Sequence, residues 1–111
     1  MSLLSKLFGY TSVNVAGAHR MIADGAILVD VRSDREFADG HAPPAQHIPL
    51  NTLTSQIGNL AHGTPIVTIC HSGVRSAHAA RLLTSKGFQV ASIRGGMIAW
   101  KRSGGPVVET S

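Results

Sequence analysis

Pro65-Ile66-Val67-Thr68-Ile69-Cys70-His71-Ser72-Gly73-Val74-Arg75-Ser76 begins as an apolar, β-branched run and changes character at Cys70. Pro65 to Ile69 suits a buried strand. His71, Ser72 and Gly73 suit a loop. Ser76 to Lys86 then reads as a helix, with Ala79, Ala80, Leu82 and Leu83 on an apolar stripe and His78, Arg81 and Ser85 facing away. Lys86 complements the C-terminal dipole, Gly87 is a candidate for the left-handed position past the end, and Phe88 can close the cap. A strand, a tight loop and a helix therefore follow one another, and the chain's single cysteine stands at the junction.

The same alternation extends in both directions. Val13 to Val15 suits a short strand or a helix entry. Val15, Ala18 and Ile22 share one helical face, ended by Asp24-Gly25. Ala26 to Val31 is a continuous apolar run closed by polar residues, as expected of a strand covered on both faces. Ser33 or Asp34 can cap a short helix through Ala38, stopped by Asp39-Gly40. Pro43-Pro44 predicts a rigid extended segment, and Pro49 to Leu60 a weak helix loosened by Gly58. Val90 to Ile93 reads as a third buried strand. Gly95-Gly96 reads as a tight turn and Met97 to Lys101 as a short helix anchored by Trp100. Strands alternating with helices predict an α/β architecture around a mostly parallel sheet.

Composition narrows the functional classes. The 111 residues suit one domain, and 43% hydrophobic with 14% charged residues is a globular balance. Ten Lys and Arg against six Asp and Glu give a formal net charge of +4. The cations are spread along the chain without interleaved aromatics, which argues against nucleic-acid binding while still favouring small anions. One cysteine excludes an internal disulfide and a multi-cysteine zinc site; a free thiol suits a reducing compartment, so the expected location is cytoplasmic. No apolar run approaches a membrane span. Met1 to Gly9 is a short amphipathic segment without the pattern of a secretory signal, so residues 1–11 are expected to form an N-terminal helix or partner-facing arm. Residues 12–103 are expected to form the domain, and 104–111, beginning Gly104-Gly105-Pro106, a flexible tail.

A lone cysteine at the end of a Val/Ile run is more often a buried small hydrophobe than a nucleophile. Its followers favour the second role. Gly73 permits backbone in which consecutive N–H groups converge on one point, an anion-binding nest. A helix N-terminus adds positive potential, and Arg75 a permanent charge. Cys70 with His71, Ser72, Gly73, Val74 and Arg75 thus forms a candidate nucleophile inside an anion cradle.

These residues resemble the rhodanese family, whose active-site loop has the form Cys-x-x-Gly-x-Arg-Ser, matched by Cys70, Gly73, Arg75 and Ser76. The resemblance continues through Leu28 to Arg32, Glu36-Phe37, Gly40-His41, Pro43, Ala45, Ile48-Pro49, Gly87-Phe88, Gly95-Gly96 and Trp100. Ala42 and Pro44 depart from the usual Ile and Gly. The resemblance implies a three-layer fold with a central, mostly parallel sheet flanked by helices. It implies that Cys70 takes the sulfane sulfur of thiosulfate as a persulfide and passes it to a thiophilic acceptor, cyanide or a thiol. In that chemistry the N–H groups of His71 to Arg75 hold the anion and Arg75 binds the sulfonate oxygens. It needs no cofactor, and its partners are a small anionic donor, a small acceptor and, in some settings, a protein acceptor.

Arg32 and Arg94 are candidates for a positive rim. Asp30 and Glu36 are expected to pair with Arg32 or to cap backbone groups. His41 with His47, and His71 with His78, lack ligand spacing, so no metal site is expected. Two other functions compete with sulfur transfer. A phosphatase or arsenate reductase of related fold carries a loop one residue longer between Cys and Arg than the four residues here. A persulfide carrier or docking module would use the same thiol without turnover.

Overall fold

The computed structural model describes residues 10–110, so the expectation for the N-terminal arm lies almost wholly outside the described residues. Five strands form one parallel sheet: β1 (Thr11–Val13), β2 (Ile27–Asp30), β3 (Gln46–His47), β4 (Ile66–Ile69) and β5 (Val90–Ile93), in the order β1-β5-β4-β2-β3. The helices are α1 (Val15–Ala23), α2 (Asp34–Ala38), α3 (Leu53–Gln56), α4 (Val74–Ser85) and α5 (Gly96–Arg102). Thr11 belongs to β1 rather than to an arm.

The sheet is covered on both faces, which is why its strands read as unbroken apolar runs. Val15 and Ala18 of α1 and Met97 and Trp100 of α5 pack with Leu28, Val67, Ile69 and Ile93 on one face. Leu53, Leu60 and the Ala79, Ala80 and Leu83 stripe of α4 pack with Val29, Ile66 and Val90 on the other. Alternation along β4 places Ile66, Thr68 and Cys70 on the α4 side. The chain leaving β2 goes on to β3 on one side and the chain leaving β4 to β5 on the other. A crevice opens where such paths diverge at the strands' C-terminal ends, and Cys70 sits there.

Local chemistry explains the boundaries. Ser33 and Glu36 form a reciprocal capping box on α2. At the end of α4, Gly87 (φ +94°) and Phe88 close a Schellman motif: Phe88 N–H donates to Leu83 O at 3.2 Å and Gly87 N–H to Thr84 O at 3.0 Å.

Four readings are corrected. Helix α4 starts at Val74, before the expected Ser76, because Gly73 (φ +114°) turns the chain straight into it. Residues Pro43-Pro44 form a turn, closed by the Ala45 N–H on Ala42 O at 3.0 Å, rather than an extended segment. The Pro49–Leu60 stretch breaks into α3 between two 3₁₀ turns, Leu50–Thr52 and Ile57–Asn59. The tail after Gly104 is hydrogen-bonded back: Trp100 Nε1 donates to Pro106 O at 2.8 Å, His41 and Val108 exchange two backbone bonds at 2.9 Å, and Thr110 N–H reaches Ala38 O at 2.9 Å.

Gly96 joins α5 to the cysteine loop. It has φ +51°, and a Cβ there would land on the Cys70 carbonyl oxygen and lie 2.7 Å from the His71 carbonyl. Gly96→Ala is therefore expected to destabilise the domain by about 3 kcal/mol, from backbone strain together with steric displacement. Gly58 is the contrast, with an ordinary φ and nothing within 4 Å of where a Cβ would stand. Gly58→Ala should stabilise by roughly 0.5 kcal/mol. Urea denaturation of both variants checks the difference.

Candidate active site

Cys70 is 1% exposed, and its sulfur is ringed by neutral donors. Gly73 N–H donates to Sγ at 3.1 Å, and the Ser72 and Ser76 N–H groups add to the potential that favours the sulfur anion. Ser76 Oγ lies 3.5 Å from Sγ, 3.1 Å from Gly73 O and 2.9 Å from Ser92 Oγ. Thr68 Oγ1 donates to Ser76 O at 2.8 Å and fixes the first turn of α4 against β4. Burial pushes the Cys70 thiol up, but the Ser76 hydroxyl and the N–H groups of Ser76, Gly73 and Ser72 outweigh it and hold the thiol below its ordinary value. When the sulfur is a thiolate, the Ser76 hydrogen can turn onto it while Ser92 donates to Ser76 Oγ, a two-hydroxyl relay.

The loop residues fall into distinct roles. The groups that favour the sulfur anion are the Ser72, Gly73 and Ser76 N–H groups with the Ser76 hydroxyl, and Ser76 lies one residue beyond the His71 to Arg75 stretch. The Val74 side chain is 76% exposed. His71 is exposed, and its carbonyl accepts from Ile98 N–H at 3.2 Å. Arg75 does not present a free guanidinium: Nη1 and Nη2 donate to the two Glu36 carboxylate oxygens at 2.6 and 2.8 Å. That contact holds Glu36 down at about 2, helped by Ser33 and opposed by burial.

Of the rim candidates, Arg32 is buried. Its Nε and Nη2 clasp Asp30, with Nη2 2.8 Å from Asp30 Oδ2 and 2.8 Å from Gly40 O, so its charge is spent on the fold. Arg94 is exposed and donates through Nη1 to Ser12 O and Oγ at 3.1 and 3.2 Å. His41 and His47 both stack on Phe37, at centroid distances of 3.6 and 4.3 Å, and each bonds a backbone carbonyl. Among the described residues, no group of three or more His, Cys, Asp and Glu is arranged to hold a metal ion.

Three clefts border the loop. One of about 450 Å³ reaches Ser72, one of about 300 Å³ reaches His71 and Arg32, and one of about 370 Å³ reaches Arg75 and Arg32. Sequence reasoning did not assign Ser76, Ser92, Glu36 or Gly96 to the site. Ser76 was visible as the last residue of the loop motif, and Ser92 as the one hydroxyl inside the apolar strand β5.

A buried cysteine beside a backbone N–H donor, at the end of a parallel strand and just before a helix, sets this chain in a class of α/β proteins with a cysteine loop between strand and helix. Residues 14–103 match the Rhodanese-like domain family, and the chain belongs to that family. A solved rhodanese-related protein from Thermoplasma volcanium is 30% identical, with TM-score 0.83 over 89% of this chain and 98% of that one. A Rhodopseudomonas palustris protein of unknown function, described as a possible tyrosine phosphatase, is 29% identical, with TM-score 0.78 over 89% of this chain and 85% of that one. Pseudomonas aeruginosa thiosulfate sulfurtransferase shares the fold at 21% identity and TM-score 0.82, over 98% of this chain. This chain spans 22% of that sulfurtransferase's length and 16% of another chain it matches.

Two tests follow from the geometry. Ser76→Ala removes the hydroxyl that favours the thiolate. The pH at which iodoacetamide reacts half-maximally with Cys70 is expected to rise, and the rate at neutral pH to fall roughly threefold to tenfold. The Glu36 carboxylate, lowered from 4.5 to about 2, supports the fold fully above 4.5 and progressively less as pH falls through 2. The stability gap between wild type and Glu36→Gln, read by denaturant titration, should hold steady above that window and close within it.

Proposed function

We propose that this domain is a sulfurtransferase that moves a sulfane sulfur through a Cys70 persulfide. The observation that carries the reading is the sulfur itself: buried, held toward the thiolate, and surrounded by N–H donors rather than by a general base. A nucleophile already favoured as the anion needs no histidine partner, and none contacts it among the hydrogen bonds of Cys70.

In the first half-reaction the Cys70 thiolate attacks the outer sulfur of thiosulfate. A new S–S bond forms, the old one breaks, and its electron pair leaves with sulfite. In the second, a thiol or cyanide attacks the outer sulfur of the persulfide, and the pair of the breaking bond returns to Cys70. The N–H groups of Ser72, Gly73 and Ser76 face negative charge in both steps, as an oxyanion hole does. The thiol must be free between turnovers, which assigns the reaction to a reducing compartment, the cytoplasm.

The phosphatase description of one structural neighbour raises a phosphoryl reading. Two features weigh against it. Only four residues separate Cys70 from Arg75, and both terminal nitrogens of Arg75 are committed to Glu36. A phosphoryl group would need that fork for its own equatorial oxygens.

Incubation with thiosulfate, followed by intact-mass measurement, is expected to add one sulfur atom to the wild type and none to Cys70→Ser. Turnover with cyanide as acceptor should follow the same pattern, and charging without turnover on any small acceptor would favour the carrier role. Cys70-dependent hydrolysis of an aryl phosphate, without sulfur uptake, would overturn the assignment.

A further inference from the structure

The three clefts around the loop differ in charge. The His71 cleft mixes both signs: Glu36 and Asp39 stand in its walls with Lys101 and with Arg32, which is already paired with Asp30. The Arg75 cleft holds two arginines, and each is neutralised by its own carboxylate. The Ser72 cleft is different. No aspartate or glutamate lines it, and it holds Arg94 and Arg102. Among the described residues, neither arginine makes an ion pair.

The rest of that cleft is mostly apolar, with Val15, Ala16, Ile98 and Ala99 along the wall beside the neutral polar Asn14 and Ser103. Ile98 is 41% exposed, an apolar surface left open beside two unpaired cations. Arg94 is pre-positioned: its bonds to Ser12 use one of its three nitrogens and leave the charge unneutralised. Ser72 forms one end of the cleft, and its N–H is one of the donors on the Cys70 sulfur. A molecule lying in the cleft therefore abuts the cysteine loop at Ser72, two residues from Cys70, with two arginines along the wall.

We propose that the Ser72 cleft is the acceptor subsite, and that Arg94 and Arg102 select a small thiol with an apolar body and a carboxylate. This rests on the reading of Cys70 as a persulfide site and adds the class of molecule that unloads it. The acceptor thiolate attacks the outer persulfide sulfur, the Cys70 S–S bond breaks, and its electron pair returns to Cys70. The product is the acceptor persulfide. The carboxylate stays on the arginines throughout and takes no part in the bond changes.

The test uses the full chain and two acceptors, 3-mercaptopropionate and the neutral 2-mercaptoethanol, with discharge of the persulfide followed by intact mass. Arg102 is exposed, so Arg102→Gln is expected to fold normally, checked by circular dichroism. The variant should raise the half-saturating concentration of mercaptopropionate about tenfold and that of mercaptoethanol less than about twofold. Lys86→Gln, the same charge change at the far end of α4, should move neither. Equal effects on both thiols, or none, would overturn the subsite.

A second measurement separates this from the reading it rests on. Unloaded Cys70 is treated with dithiobis(nitrobenzoate), an anionic aromatic disulfide, and with neutral dithiodipyridine. The rate ratio should fall about tenfold in Arg102→Gln whether or not the chain transfers sulfur. Discrimination without sulfur uptake supports the anion-binding cleft and sinks the sulfurtransferase assignment. Sulfur uptake without discrimination sinks the cleft alone.

Discussion

Two backbone hydrogen bonds govern the site: Met97 N–H to Cys70 O at 2.8 Å and Ile98 N–H to His71 O at 3.2 Å. A trans peptide unit is planar, so its C=O and the following N–H point in opposite directions. Fixing the His71 carbonyl on α5 turns the Ser72 N–H the other way, toward the sulfur. The first turn of α5 thereby orients a donor it never touches. This arrangement requires Gly96 to have no side chain, because the helix start lies directly on the Cys70–His71 backbone. The N-terminal N–H groups of α5, which need partners, and the loop carbonyls, which would otherwise crowd the anion, satisfy one another.

The electrostatics follow from that frame. Two arginines border the crevice, and both are balanced by carboxylates: Arg32 by buried Asp30 and Arg75 by partly exposed Glu36. Their work is positional. Arg32 ties β2 to Gly40, and the Arg75–Glu36 fork ties α4 to α2 across the crevice. Both Arg75 and Glu36 side chains keep about a third of their surface in water, so the fork contributes geometry more than stability. Two arginines unpaired among the described residues, Arg94 and Arg102, sit one step away on the wall of the Ser72 cleft.

Much of this was legible in the sequence. The strand, loop and helix around Cys70, the buried β2 and β5, the α4 cap and the core position of Trp100 are signalled by local patterns, and the structure carries each of them. The misses have physical causes. β3 is two residues long and exists only through its pairing with Val29 and Asp30, which no local pattern encodes. The tail looked free because Gly104, Gly105 and Pro106 are turn formers. Its partners, the Trp100 indole, His41 and Ala38, are remote or hidden in other elements. The Glu36–Arg75 pair spans 39 positions, and spacing along the chain favoured the nearer Arg32 as partner for Glu36. Ser92 is a polar residue in a buried strand, and its meaning depends on Ser76, which lies on another element.

The donor set also bears on how one sulfur can serve both halves of a transfer cycle. In the proposed cycle Cys70 is first a nucleophile and later a leaving group. Lowering a thiol's pKa increases its thiolate fraction and improves its departure, but reduces its intrinsic nucleophilicity with a Brønsted slope of roughly 0.4–0.5. A bare guanidinium on the sulfur would push far toward the leaving-group side. Instead the stabilisation comes from three N–H groups and one hydroxyl, opposed by burial, while the nearest guanidinium is neutralised by Glu36. The outcome is a lowering by neutral dipoles rather than by a bare charge. The same dipoles remain in place when the charge moves to the outer sulfur of a persulfide, because they belong to a backbone fixed by α5 and Gly96 rather than to side chains that must reorganise.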